Sequence, residues 1–172
     1  MREERLDGYT MASLMKIGSV DVQVAFGEVV GNACEQNDGK MCEDRTKILK
    51  AMQLALVRLR RLLLEKGVDK GLLWELETYG ILIDKKDFCF YSMHQVDDYF
   101  LVNEFDNFTI PDNCGNLREL SHIIQAMLSF KNRVLHLHQR VESLLKSRRR
   151  QSARRVTEDF VRPSPRKPNK RR

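Results

Sequence analysis

Proline is missing from the first 110 residues, and the four prolines present are Pro111, Pro163, Pro165 and Pro168. Nothing in that long stretch therefore fixes φ or deletes a backbone donor where a helix would need one. The nine glycines are scattered, with no phosphate-cradling cluster, and neither a nucleophile elbow nor an HExxH pair occurs, so no catalytic signature is present and a non-enzymatic role is expected. Cysteine is scarce and irregularly spaced, at Cys34, Cys42, Cys89 and Cys114. Cys34 and Cys42 stand too far apart for a zinc-type pair, and His136 and His138 would fall on different sides of a helix, so neither a metal nor another cofactor is expected. The thiols read as reduced, as in a cytosolic or nuclear protein. Long apolar runs are lacking too. The best candidate, Ile48 to Leu64, contains Lys50, Arg58, Arg60 and Arg61, which would be costly in a bilayer, and no membrane association is expected.

What is abundant is positive charge, unevenly distributed. Twelve of the 30 Lys and Arg residues lie at or beyond Lys146, opposed only by Glu158 and Asp159, which makes that segment +10. Residues 1–145 carry 18 basic against 22 acidic side chains, or −4. An acidic body with a basic tail suits a body that binds protein and a tail that meets nucleic acid, an acidic protein surface or an import receptor.

The spacing of apolar residues predicts a mainly α fold. Val20, Val22, Val24 and Phe26 alternate as in a strand, but Val20, Val24, Val30 and Cys34 also fall near one helical face, and the helical reading is preferred over 20–36. A helix over 45–66 is indicated by Ile48, Met52, Ala55, Leu56, Leu59, Leu62 and Leu63, with Asp44 as its cap and Gly67 as its stop. A short helix over 70–79 follows, ended by Gly80. Five of the eight phenylalanines, with Tyr91 and Tyr99, crowd into Phe88 to Phe108, which suits a small β-hairpin at 88–105 around the loop HQVDD. Asn116 and Glu119 have the spacing of a capping box, opening a long coiled-coil-like helix over 116–150. The resulting layout is a flexible leader over 1–18, a small helical or α+β domain over 19–113, the long helix, and a disordered basic tail over 151–172.

In the long helix the heptad core positions read Leu120, Ile123, Met127, Phe130, Val134, Leu137, Val141 and Leu144, all apolar. Such a repeat keeps one seam towards a partner helix, so a protein partner, in a homo- or hetero-oligomer, is expected there. Ile124, Leu128, Leu135 and Leu145 widen the stripe beyond what a two-stranded coil requires. The competing reading packs this helix onto 45–66 within one chain.

LRRLL at Leu59 to Leu63 has the form of a groove-binding LxxLL motif, though its leucines belong to a longer buried-face stripe. From Lys66 to Val102, the order helix, tight turn, short helix and hairpin resembles winged helix-turn-helix domains. That resemblance implies a reading helix at Lys70 to Tyr79, but Asp69, Glu75 and Glu77 would face phosphates, so it implies protein binding instead. KSRRRQSARR and RKPNKRR resemble nuclear-import signals. Candidate nucleic-acid or import residues are therefore Lys146, Arg148, Arg149, Arg150, Arg154, Arg155, Arg166, Lys167, Lys170, Arg171 and Arg172. Ser152 and Thr157 follow paired arginines and Ser164 precedes a proline, so phosphorylation at these three would remove roughly half of the tail's charge.

Together these features lead to a nuclear scaffold subunit, shuttling or resident, of a chromosome-associated or nucleic-acid-processing complex, assembled through the heptad helix. The second reading is a direct nucleic-acid-binding regulator, cellular or viral, that multimerises and presents arginine-rich arms to DNA or RNA. In bZIP proteins the basic region precedes the zipper, whereas here it follows, so that family is not invoked.

Overall fold

The computed structural model describes residues 13–30, 38–111, 113 and 117–160, and side chains for these except 38, 117, 118 and 149–160. Its centre is a sheet, which overturns the mainly α expectation. Strands β1 (Ser13–Ile17), β2 (Val20–Val30), β3 (Glu77–Asp84), β4 (Asp87–Val96) and β5 (Tyr99–Thr109) lie side by side in chain order. Helix α1 (Asp38–Glu65) joins β2 to β3, and helix α2 (Leu117–Phe160) follows β5. All neighbouring strands are antiparallel except β2 and β3, which are parallel because α1 carries the chain back to the starting end of the sheet.

The strand at 20–30 forms where a helix was expected because alternation wins over the looser helical spacing. Val22, Val24 and Phe26 are buried while Asp21 and Gln23 between them are exposed, and Phe26, paired with Gly80, faces α1. Residues 31–36 of that expected helix lie outside the described residues. The expected leader is corrected as well, since residues 13–17 pair with β2 as an edge strand.

The expected helix over 70–79 reduces to a single 3₁₀ turn at Lys70–Leu72, and Glu77 onward is strand. The winged-helix resemblance therefore fails, since no reading helix precedes the hairpin. β3 is buried on both faces, so its apolar run has no period to betray it. Gly80, read as a helix stop, is instead the point of closest approach of α1: a Cβ there would lie 2.7 Å from Met52 Sδ and 2.8 Å from Ile48 Cγ2. The neighbouring Thr78 hydroxyl donates to the Met52 carbonyl at 3.0 Å.

Helix α1 begins at Asp38, so Asp44 is not its cap; that residue is buried within the helix and pairs with Lys47 at 2.6 Å. Its end is as expected from Gly67, whose φ of 76° lets Gly67 N–H reach Leu64 O and Val68 N–H reach Leu63 O, satisfying two of the last carbonyls. Leu59 and Leu63 are fully buried and Leu62 is half-buried, so LRRLL serves the core.

The hairpin expected at 88–105 is one part of this larger sheet, and its strands run on through the supposed loop to a two-residue turn at Asp97-Asp98. Three antiparallel connections share this design, with Gly18, Lys85 and Asp97 at positive φ opening two-residue turns.

Helix α2 is long, as expected, but it is not a coiled-coil strand. It crosses the face of the sheet opposite α1: Phe130 meets Tyr79 edge-on at 6.1 Å and Phe90 at 5.5 Å between ring centroids. Of the expected seam, Val134, Leu137, Val141 and Leu144 are buried in the chain's own core and Ile123 and Phe130 are half-buried. Leu120 and Met127 remain exposed. The sheet, absent from the sequence expectation, supplies the apolar surface that a partner helix was invoked to provide. The helical backbone continues to Phe160, ten residues into the segment expected to be disordered, and 161–172 lie outside the described residues.

Candidate functional site

Helix α2 has 44 residues and so runs roughly 66 Å at the α-helical rise. Among the residues whose side chains are described, its last buried apolar one is Leu144, and the basic stretch begins two residues later at Lys146. Glu142 receives a hydrogen bond from the Lys146 ammonium at 2.9 Å, which holds its carboxyl below the usual range. Arg148 lies against the end of α1, where a Cβ on Gly67 would come within 3.0 Å of its Nε. Arg149, Arg150, Arg154 and Arg155, with Ser152 and Thr157, continue the helical backbone. The structure thus gathers Lys146 to Arg155 on one helix rooted in the body. Ser164, Arg166, Lys167, Lys170, Arg171 and Arg172 lie outside the described residues.

The root is braced by the connection from α1 to β3. Asp69 accepts the Gly71 N–H at 2.6 Å, Leu73 N–H bonds to Lys70 O, and Val68, Leu73 and Leu76 are buried. Glu75 is ion-paired with Arg140 of α2. The connection therefore follows α2, from Arg148 at Gly67 back to Arg140 at Glu75. Outward from it project Lys70, Leu72 and Trp74, all exposed. The sequence places this segment in a helix, to which the winged-helix resemblance gives a protein-binding role, and assigns no role to Trp74; the lone tryptophan, set between Leu73 and Glu75, is the one signal available.

Beside α2, a groove of about 900 Å³ opens between the helix and the start of β3. Ile124, Leu128 and Leu137 supply its apolar lining, with His136 and Ser129 beside them. Both acidic groups at its edge are engaged, Glu75 by Arg140 and Glu77 by Arg133 at 4.0 Å. The Tyr79 hydroxyl donates to the Arg133 carbonyl at 3.3 Å, and burial pushes the phenol's pKa well up. A groove of this make-up suits an apolar side chain of a protein partner bordered by hydrogen bonds. It is continuous with an exposed row on α2, Leu120, Ile124, Met127, Leu128 and Leu135.

Cys42 is an exposed free thiol and Cys89 a half-buried one whose pKa burial raises; Cys34 and Cys114 lie outside the described residues. Among the described residues no three His, Cys, Asp or Glu side chains are grouped to hold a metal, and no helix is long and apolar enough to cross a membrane. No protein family, curated protein or solved structure matches the chain.

Proposed function

We propose that this chain is a non-enzymatic nuclear interaction protein whose folded body carries a basic helical arm onto the phosphate backbone of nucleic acid, within a chromosome-associated or nucleic-acid-processing assembly. The observation that carries the reading is the continuity of α2 from buried Leu144 into the arginine-rich stretch. An arm joined to the body by unbroken helix loses less conformational entropy on binding than a free tail. The contact is to phosphates and sequence-tolerant, because charge, not a base-edge code, is what the stretch offers. Phosphates added at Ser152, Thr157 and Ser164 would weaken it, and the same basic residues address the chain to the nucleus.

The test is fluorescence anisotropy with labelled duplexes of unrelated sequence. Binding should fall steeply with added salt, and changing Arg148, Arg149, Arg150, Arg154 and Arg155 to Gln should reduce both the affinity and the salt slope, by about one unit of slope for each phosphate no longer neutralised. Unchanged binding by that variant would overturn the reading.

A second reading rests on the exposed row of α2 and its groove, which fit a protein partner. It predicts self-association of the purified chain at high micromolar concentration, relieved by Ile124→Gln with Leu128→Gln; a wild-type monomer in sedimentation would remove it for a second copy of the chain.

A further inference from the structure

We propose that the connection between α1 and β3, together with the root of the basic arm, is a stacking site for single-stranded nucleic acid, in which Trp74 takes an unpaired base while Lys66, Lys70 and Arg148 take flanking phosphates. This deepens the nucleic-acid reading and rests on it.

Trp74 is 64 % exposed although it sits among residues whose neighbours are buried: Leu73 and Leu76 are both fully enclosed. The indole is presented by a braced segment. The 3₁₀ turn, the Asp69 cap, the paired hydrogen bonds at the end of α1 and the Glu75–Arg140 ion pair all hold the backbone on either side of it. A large aromatic surface offered from such a support loses little entropy when a flat ring stacks on it.

Basic side chains lie at the start of the connection and along it. Lys66 reaches over the β1–β2 turn, where a Cβ on Gly18 would lie 3.7 Å from its Nζ, and Arg148 lies beside Gly67. Lys70 is exposed on the same segment as Trp74. Glu75 is engaged by Arg140, and Asp69 by the backbone it caps. Arg148 and Lys66 thus stand at the end of α1, where the connection begins, and Lys70 stands on the connection that carries the indole, so a phosphate chain from the arm would have cations to meet on its way to the body. The π-face of tryptophan accepts any base, but only an unpaired one can leave its neighbours to reach it.

An anionic membrane would also attract lysines beside a tryptophan. It is disfavoured because the stretch from Lys146 to Val156 holds only Ala153 and Val156 as apolar residues, too few for the apolar face an interfacial helix needs.

Trp74 is the only tryptophan, so its fluorescence reports this site alone. The full chain is titrated with a labelled oligothymidine of about 15 nucleotides, with a duplex of equal length, and with phosphatidylserine-containing vesicles. The expected result is quenching by the single strand that saturates with the anisotropy signal, and duplex binding with little quenching. Trp74→Ala should weaken the single strand about tenfold and leave the duplex unchanged, with Trp74→Phe in between. Single-strand binding that is indifferent to Trp74→Ala, or that leaves the fluorescence unchanged, overturns the stacking site while the arm stands. A blue shift with vesicles and none with oligothymidine overturns it in favour of a membrane. Failure of the wild type to bind either nucleic acid at low salt removes the arm reading and this inference together.

Discussion

Under α1 the sheet presents Phe26, Gly80, Leu82 and Tyr91, and the helix comes close enough for Met52 and Ile48 to occupy the place of a Gly80 side chain, with Arg45 over the Tyr91 ring. On the opposite face it presents Tyr79, Ile81, Phe90 and Phe108, and α2 rests on rings. The difference follows from connectivity. A crossover helix is tied at both ends to neighbouring strands and must lie flat along them, and the missing side chain at Gly80 lets it approach. A helix that follows the last strand is tied only at its start. It can be propped on large side chains and continue as helix into the basic stretch, as α2 does.

The aromatic prop should give the largest effect. Phe90 is fully buried and lies within 6.1 Å, centroid to centroid, of Phe105, Phe108 and Phe130. Phe90→Ala is expected to cost about 3–5 kcal/mol in urea unfolding. A loss below about 1 kcal/mol would mean that α2 does not depend on this face.

The next test separates the core row of α2 from its outer row. Leu137 is 3 % exposed and Leu135, two residues earlier, is 47 % exposed. Leu137→Ala should cost about 2–5 kcal/mol and Leu135→Ala under about 0.5 kcal/mol. Equal costs would show that the helix is not seated as described.

The residues of α2 announced a buried face without saying what buries it. Periodicity reports one side of a contact, and a sheet covers Val134 and Val141 as well as a second helix would. The sheet was hard to see because its inner strand has no polar side: β3 reads ETYGILID, buried on both faces, and an unbroken apolar run resembles a helix segment as much as a strand. The turns at Lys85-Lys86 and Asp97-Asp98 lack the glycine that would have announced hairpins. By contrast Gly67 and the leucine stripe of α1 were legible, since capping and burial there are local. The basic stretch was legible as charge, but its placement on a continuous helix, and the exposure of Trp74 beside its root, depend on contacts from Glu75 to Arg140 and from Gly67 to Arg148 that no local pattern encodes.

The close approach on the α1 face can be probed at Gly80. Gly80→Ala should cost about 1–3 kcal/mol because its Cβ meets two side chains at under 3 Å. Met52→Ala removes one of them, so the double variant should lose less than the two single losses combined. Strict additivity would mean that α1 yields freely and the packing is looser than the geometry indicates.

A small effect of the opposite sign is expected from a charge buried on that same face. Glu28 of β2 is almost fully enclosed, and its pKa is raised, first by burial and then by Asp44, with Lys47 and Lys40 acting in the opposite direction. A carboxyl that binds its proton more tightly in the folded state than in the unfolded chain makes folding less favourable as pH rises through the interval between the two pKa values, because the folded state must then hold the charged form. Glu28→Gln keeps the shape and removes the charge. It should stabilise the chain at pH 7 by under about 1 kcal/mol, and the gain should shrink as pH falls to about 4, where the wild-type carboxyl is itself protonated. Thermal melts of the two proteins across that pH interval measure this directly. A variant less stable than wild type at pH 7 would show that Lys47 and Lys40 outweigh burial, making Glu28 a favourable charge that fastens α1 to its face of the sheet.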